Sequence, residues 1–161
     1  MYYNHNVRTN LQEWKSRLNK ATYEQFGHQL KYCVSNIEKN KLIFSLINEA
    51  VLQYPYSQEQ LQEISGYEYG TPDMSFENEI HHSSYCYQIL KHYIKECDSY
   101  NLHQFDILNG SNFDDKKKNI VEELITPIFY YLHDKLDKSN SVIYLLEKIK
   151  DEQNGLITTI Y

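Results

Sequence analysis

Five apolar residues, Ile120, Leu124, Ile128, Leu132 and Leu136, recur at every fourth position, with Val121, Ile125 and Phe129 beside them. Only an α-helix collects such residues on one face, because a strand alternates with a period of two. Pro127 sits inside the pattern. A proline removes a helix hydrogen bond, so it either kinks one helix or opens a second with Thr126 as its cap. The unbroken stripe favours a kink.

The same period runs through the rest of the chain. Thr9, with Gln12 three residues on, is expected to open a first helix carrying Leu11, Trp14 and Leu18. Thr22 is expected to cap a second, with Tyr23, Phe26, Leu30, Val34 and Ile37 in one stripe. Asn40 is expected to cap a third, which stops at Pro55, and Ser57 with Gln60 to start a short fourth to about Ile64. Gly66, Gly70 and Pro72 punctuate a loop over 66–73. Asp73 or Ser75 is expected to open a long helix to about Asp98, with Phe76, Ile80, Tyr87, Leu90, Ile94 and Cys97 as its stripe. Residues 100–112 read as one helical turn or an anchored loop. Asp114 or Asp115 then starts the Pro127 helix, and Val142, Ile143, Leu146 and Ile149 mark a last helix to about Gln153. Residues 137–140 would join these two as a hairpin. The tail, 156–161, reads as a short strand, a docked segment or a binding tail. The expected fold is all-α: one compact antiparallel bundle of six or seven helices, kinked at Pro127.

A chain of 161 residues is long enough for one domain with a real core. It has no apolar run of transmembrane length, and Met1 to Asn10 hold no apolar signal core. Cys33, Cys86 and Cys97 have no paired spacing. Three thiols without a secretory signal fit a reducing cytoplasm. Tyr, Ile, Asn and Lys are abundant while Ala and Arg occur twice each, the codon bias of a low-GC bacterium or its phage.

Charge distribution supplies the main functional cue. Between Lys41 and Lys91 there is no Lys or Arg, but seven carboxylates and six tyrosines. A field of one sign repels nucleic acid and anionic membrane and attracts cations. Tyrosine adds contact area at modest entropic cost. The expected contact surface is Tyr54, Tyr56, Glu59, Glu63, Tyr67, Glu68, Tyr69, Asp73 and Glu77, and the expected partner a basic protein. The Ile128, Leu132 and Leu136 face could bury itself or pair with a second copy.

Recognisable catalytic and metal motifs are missing. His82 and Cys86, Glu77 and His81, and His92 and Glu96 each stand four apart, but no third and fourth ligand follows at a metal-site spacing. Cys97 lies four helical turns from His82, too far to share an ion. The arginine–histidine pair of a HEPN-type ribonuclease is absent, as is a Gly-rich phosphate loop. No PD-(D/E)xK arrangement is credible, since Glu147 and Lys148 fall on a helix. No cysteine has basic neighbours that would activate it. Lys116, Lys117 and Lys118 form the one basic run, too little to bind nucleic acid in an acidic chain. No metal and no cofactor is expected. Two other readings stay open: a helical hydrolase or nuclease using His81, His82 and Glu79, and a bundle that senses a small molecule in a tyrosine-lined pocket.

Pro127, Tyr131–Leu132 and the run from Val142 to Lys150 resemble helical modules of bacterial antiphage and abortive-infection proteins. The resemblance spans 127–150, about 25 residues, and carries no catalytic residue across. It implies a regulatory or tethering module of a bacterial conflict system, either a defence component or an immunity or antitoxin-like inhibitor.

Overall fold

The computed structural model describes residues 2–65, 75–96 and 112–138, with isolated helical positions at 146, 149, 150 and 153. Among the described residues, apart from those isolated positions, there are six helices and no strand. They are α1 (Tyr2–Lys20), α2 (Tyr23–Lys39), α3 (Lys41–Gln53), α4 (Gln58–Ser65), α5 (Glu79–Glu96) and α6 (113–138). The 66–73 loop, the 100–111 segment, Cys97, most of the 142–153 helix with its hairpin turn, and the 156–161 tail lie outside the described residues.

Local chemistry sets most boundaries. α1 begins at Tyr2 rather than Thr9, because no Gly or Pro interrupts residues 2–20. At the start of α2, the Gln25 side chain accepts the Thr22 N–H at 3.3 Å. Asn40 alone joins α2 to α3, and its Oδ1 accepts the N–H groups of Leu42 and Ile43, each at 3.1 Å. Ser57 and Gln60 form a complete capping box, Gln60 N–H to Ser57 Oγ at 3.1 Å and Ser57 N–H to Gln60 Oε1 at 2.8 Å. Asn78, not Ser75, caps α5, its Oδ1 accepting the His81 N–H at 2.9 Å. Asn112 does the same for α6 through Asp115 N–H at 2.9 Å, so that helix starts at Phe113, just ahead of Asp114.

α1 packs on α2, α2 on α3, α3 on α5, α5 on the middle of α6, and α6 back on α1. α4 lies against α5. Phe26, Leu30, Cys33, Val34 and Ile37 of α2 meet Ile43, Ile47 and Ala50 of α3 in one core with Leu11 and Leu18. The Ile120 to Leu136 stripe is buried within the chain, so that face covers itself. α5 is buried almost all round: Ser83, Ser84, Tyr85, Cys86 and Tyr87 are five successive buried residues.

One helix passes through Pro127. Just before it, Val121–Ile125 form a π turn, in which Thr126 N–H reaches the Val121 carbonyl five residues back. In a regular helix the Glu123 carbonyl would receive the N–H of residue 127, which proline lacks. The buried Cys86 thiol donates to that carbonyl instead, at 3.3 Å. Ser83 Oγ donates to the Pro127 carbonyl at 3.4 Å. The proline is thus accommodated by a π turn and by two side chains of the neighbouring α5.

Candidate functional site

Among the described residues, the acidic, tyrosine-rich stretch does not lie on one surface. Its core is the corner Tyr54–Pro55–Tyr56, where α3 ends because Pro55 cannot continue it. α5 clamps this corner. The Tyr54 carbonyl accepts from Ser84 Oγ at 2.7 Å and Gln88 Nε2 at 3.0 Å. Gln88 Oε1 accepts the Tyr56 N–H at 2.9 Å, and Gln88 Nε2 also reaches Ser84 Oγ at 2.7 Å. Neither Ser84 nor Gln88 was expected as a site residue. Their one signal is a pair of uncharged polar residues four apart, flanking the apolar Tyr85–Tyr87 turn of α5.

The corner holds His81 in an aromatic box. The Tyr54 ring stacks on it at 4.5 Å with 12° between planes, and the Phe76 edge meets it at 5.3 Å. Glu77 N–H donates to His81 Nδ1 at 3.2 Å. An accepting Nδ1 carries no proton, so a neutral ring carries its hydrogen on Nε2 and donates it to the Tyr56 hydroxyl at 2.8 Å. Both ring nitrogens are therefore occupied by structural partners, and neither touches a carboxylate. Glu77 instead accepts the Tyr54 hydroxyl at 3.0 Å, and Asn78 Nδ2 donates to that oxygen at 3.1 Å. His82 stacks on Phe76 at 4.5 Å, and burial, then neighbouring His81, lower its pKa. With Glu79 and Glu122 it borders a cavity of about 270 Å³ beside the π turn. Among the described residues no group of three His, Cys, Asp or Glu is placed to hold a metal.

The described contact residues fall into two places. Glu59 and Glu63 are exposed on α4, whose Leu61 is buried against the core. Tyr54, Tyr56 and Glu77 build the histidine box. Tyr67, Glu68, Tyr69 and Asp73 lie outside the described residues. The remaining tyrosines of the stretch, Tyr85 and Tyr87, are core residues, and Tyr87 donates to Glu38 at 3.0 Å. The Tyr85 hydroxyl is buried with no hydrogen-bond partner.

Cys33, Cys86 and Lys117 have structural roles. Burial pushes the Cys33 and Cys86 thiols from 9.0 up to about 12, which makes poor nucleophiles. In the lysine run, Lys117 donates to the Asn19 and Ala21 carbonyls at 2.9 and 3.1 Å, closing the end of α1. No helix among the described residues is long and apolar enough to cross a membrane.

No protein-family model, no curated protein and no solved structure matches the chain.

Proposed function

We propose that this chain is a non-enzymatic helical protein that binds a basic protein partner through its acidic middle, as a regulatory or inhibitory module of a bacterial or phage conflict system. The observation that carries the reading is α4. This eight-residue helix presents Glu59 and Glu63, both exposed and one turn apart, with no basic residue in its last turn. Like charges at that spacing destabilise an isolated helix by about 0.2–0.5 kcal/mol. Among the described residues no ion pair relieves them, whereas Glu13, Glu38 and Asp134 each have a cationic partner. Unneutralised charge on a helix anchored from beneath by Leu61 suits electrostatic steering of a cationic surface. The Tyr54 to Glu77 box stiffens the adjoining edge, which lowers the ordering cost of binding. The resemblance at 127–150 favours a conflict system over other settings for such a module.

The test is affinity capture from the native cell at low and moderate salt, followed by kinetics with the captured protein. Glu59→Lys combined with Glu63→Lys should leave the far-ultraviolet spectrum intact and slow association, most strongly at low salt. Absence of a partner at both salts, or association kinetics unchanged by the double reversal, refutes the reading.

A further inference from the structure

A second device, independent of the acidic face, is built into the histidine box, whose geometry admits one charge state of the ring. Nδ1 of His81 accepts the Glu77 N–H at 3.2 Å, and Nε2 meets the Tyr56 hydroxyl at 2.8 Å. A neutral imidazole has one acceptor and one donor nitrogen, and these two partners use both. An imidazolium carries hydrogen on each nitrogen. A second proton therefore lands on Nδ1 and faces the Glu77 N–H, donor against donor. Histidine ordinarily changes charge between about pH 5 and 8.

The surrounding groups turn that proton into a change of partners. Among the described residues, the titratable groups facing the ring are Tyr54 and Tyr56 from the corner between α3 and α4, Glu77 from the segment entering α5, and His82 from α5 itself. Burial raises the Tyr56 pKa, so its hydroxyl stays an uncharged partner. Burial, then His81, lower the His82 pKa, which favours the neutral form of that second ring. The carboxylate in this set is that of Glu77, and it accepts the Tyr54 hydroxyl at 3.0 Å. An imidazolium draws it away, offering a charged donor in place of a neutral one. Asn78 Nδ2 still reaches the Tyr54 oxygen. Backbone and side chain of Glu77 thus both depend on the charge of one ring.

We infer that the box is a proton-operated latch on the entry to α5: it holds the Glu77 backbone while His81 is neutral and releases it when the ring takes up a proton. The latch closes as pH rises and opens as pH falls. The tie to the Pro55 corner persists in both states. Tyr56 still accepts from Nε2, and the stacked Tyr54 ring offers its face to a cation. The change is confined to the segment ahead of α5, and the bundle stays folded. This does not depend on the protein-binding reading.

The test is nuclear magnetic resonance of the isotope-labelled full chain between about pH 8 and pH 5, following the His81 ring nitrogens and the Glu77 amide together. At the upper end the ring should be neutral with its hydrogen on Nε2. As the ring titrates, the Glu77 amide proton should shift with the same midpoint. Its protection from solvent exchange, taken relative to an unstructured chain, should fall by about fivefold or more, the worth of one hydrogen bond. The far-ultraviolet spectrum should hold across the range. His81→Phe keeps a ring against Tyr54 but removes both nitrogens, and should abolish the step in the Glu77 amide. His82→Gln should preserve it, which separates the latch from the neighbouring ring. A neutral ring with its hydrogen on Nδ1, a Glu77 amide that ignores the His81 titration, or a step that survives His81→Phe overturns the inference. The first two are read on the parent protein, so they stand even where a variant does not fold.

Discussion

The clamp on the Pro55 corner makes a quantitative prediction, because two side chains share one acceptor. Ser84→Ala removes the 2.7 Å bond to the Tyr54 carbonyl, but Gln88 Nε2 still serves that oxygen. The expected loss is about 1 kcal/mol, one net hydrogen bond. Gln88→Met keeps the side-chain length and removes the acceptor of Tyr56 N–H, leaving a half-buried donor unmet. The expected loss is about 2 kcal/mol, within the usual penalty for an orphaned group. In the double variant the Tyr54 carbonyl loses both donors at once. That further desolvation penalty, about 1–2 kcal/mol, belongs to neither single change. The double variant should therefore lose about 4–5 kcal/mol, more than its parts together. For a domain of this size each kcal/mol lowers the midpoint by about 2–4 °C, so urea melts and calorimetry of the four proteins resolve the cycle. Additivity within about 0.5 kcal/mol would refute the shared-acceptor account and mean that water already serves the Tyr54 carbonyl.

Tyr85→Phe should be neutral or stabilising by up to about 1 kcal/mol in the same melts, because it deletes a buried hydroxyl that has no partner; a clear loss would reveal a bond from that oxygen. The chain should also unfold progressively in alkali. Cys33 and Cys86 titrate near 9.0 when unfolded and near 12 when folded, so the folded state keeps protons that the unfolded state sheds. Their contribution is complete below pH 9 and falls by about 1.4 kcal/mol per unit per group as pH rises above it. Denaturant midpoints of Cys33→Ala and Cys86→Ala should fall less steeply than the parent's between pH 9 and 11, and parallel curves would contradict the assignment.

Helix starts were legible where the decisive bond is local. Thr22, Asn40 and Ser57 were read from one turn of sequence, and the same turn makes their hydrogen bonds. The start of α5 was not, since Asp73, Ser75 and Asn78 are all capping residues. Asn78 serves because its other amide atom also reaches the Tyr54 hydroxyl, a contact across 24 residues. The burial of Tyr87 was legible, since it lay on the expected apolar stripe of α5, whereas that of Tyr85 was not. A stripe argument assigns each residue to one buried face, but α5 packs on α3, α4 and α6 and so buries more than one face over residues 83–87. Tyr85 and Tyr87 are therefore buried along with the residues between and before them. Among the described residues, the acidic stretch is one feature in sequence but divides in space, because Tyr85 and Tyr87 of α5 are buried in the core while Glu59 and Glu63 of α4 are exposed.

The stripe that signalled α6 carried more information than its period alone. Each step of four residues in an ideal helix overshoots a full turn by about 40°. Four such steps, from Ile120 to Leu136, accumulate about 160° and would place the two ends on opposite sides of the helix. Yet all five residues of the series are at most 2% exposed. The π turn at Val121–Ile125 resolves the contradiction. It inserts one residue into the spiral, which returns about 100° of phase and leaves a drift of about 60°, within the width of an ordinary apolar face. The wide turn therefore keeps this four-residue repeat closer to one face than a regular helix of the same length would. Pro127 then locates that turn, since the carbonyl it leaves without an N–H is the one that Cys86 takes up from α5.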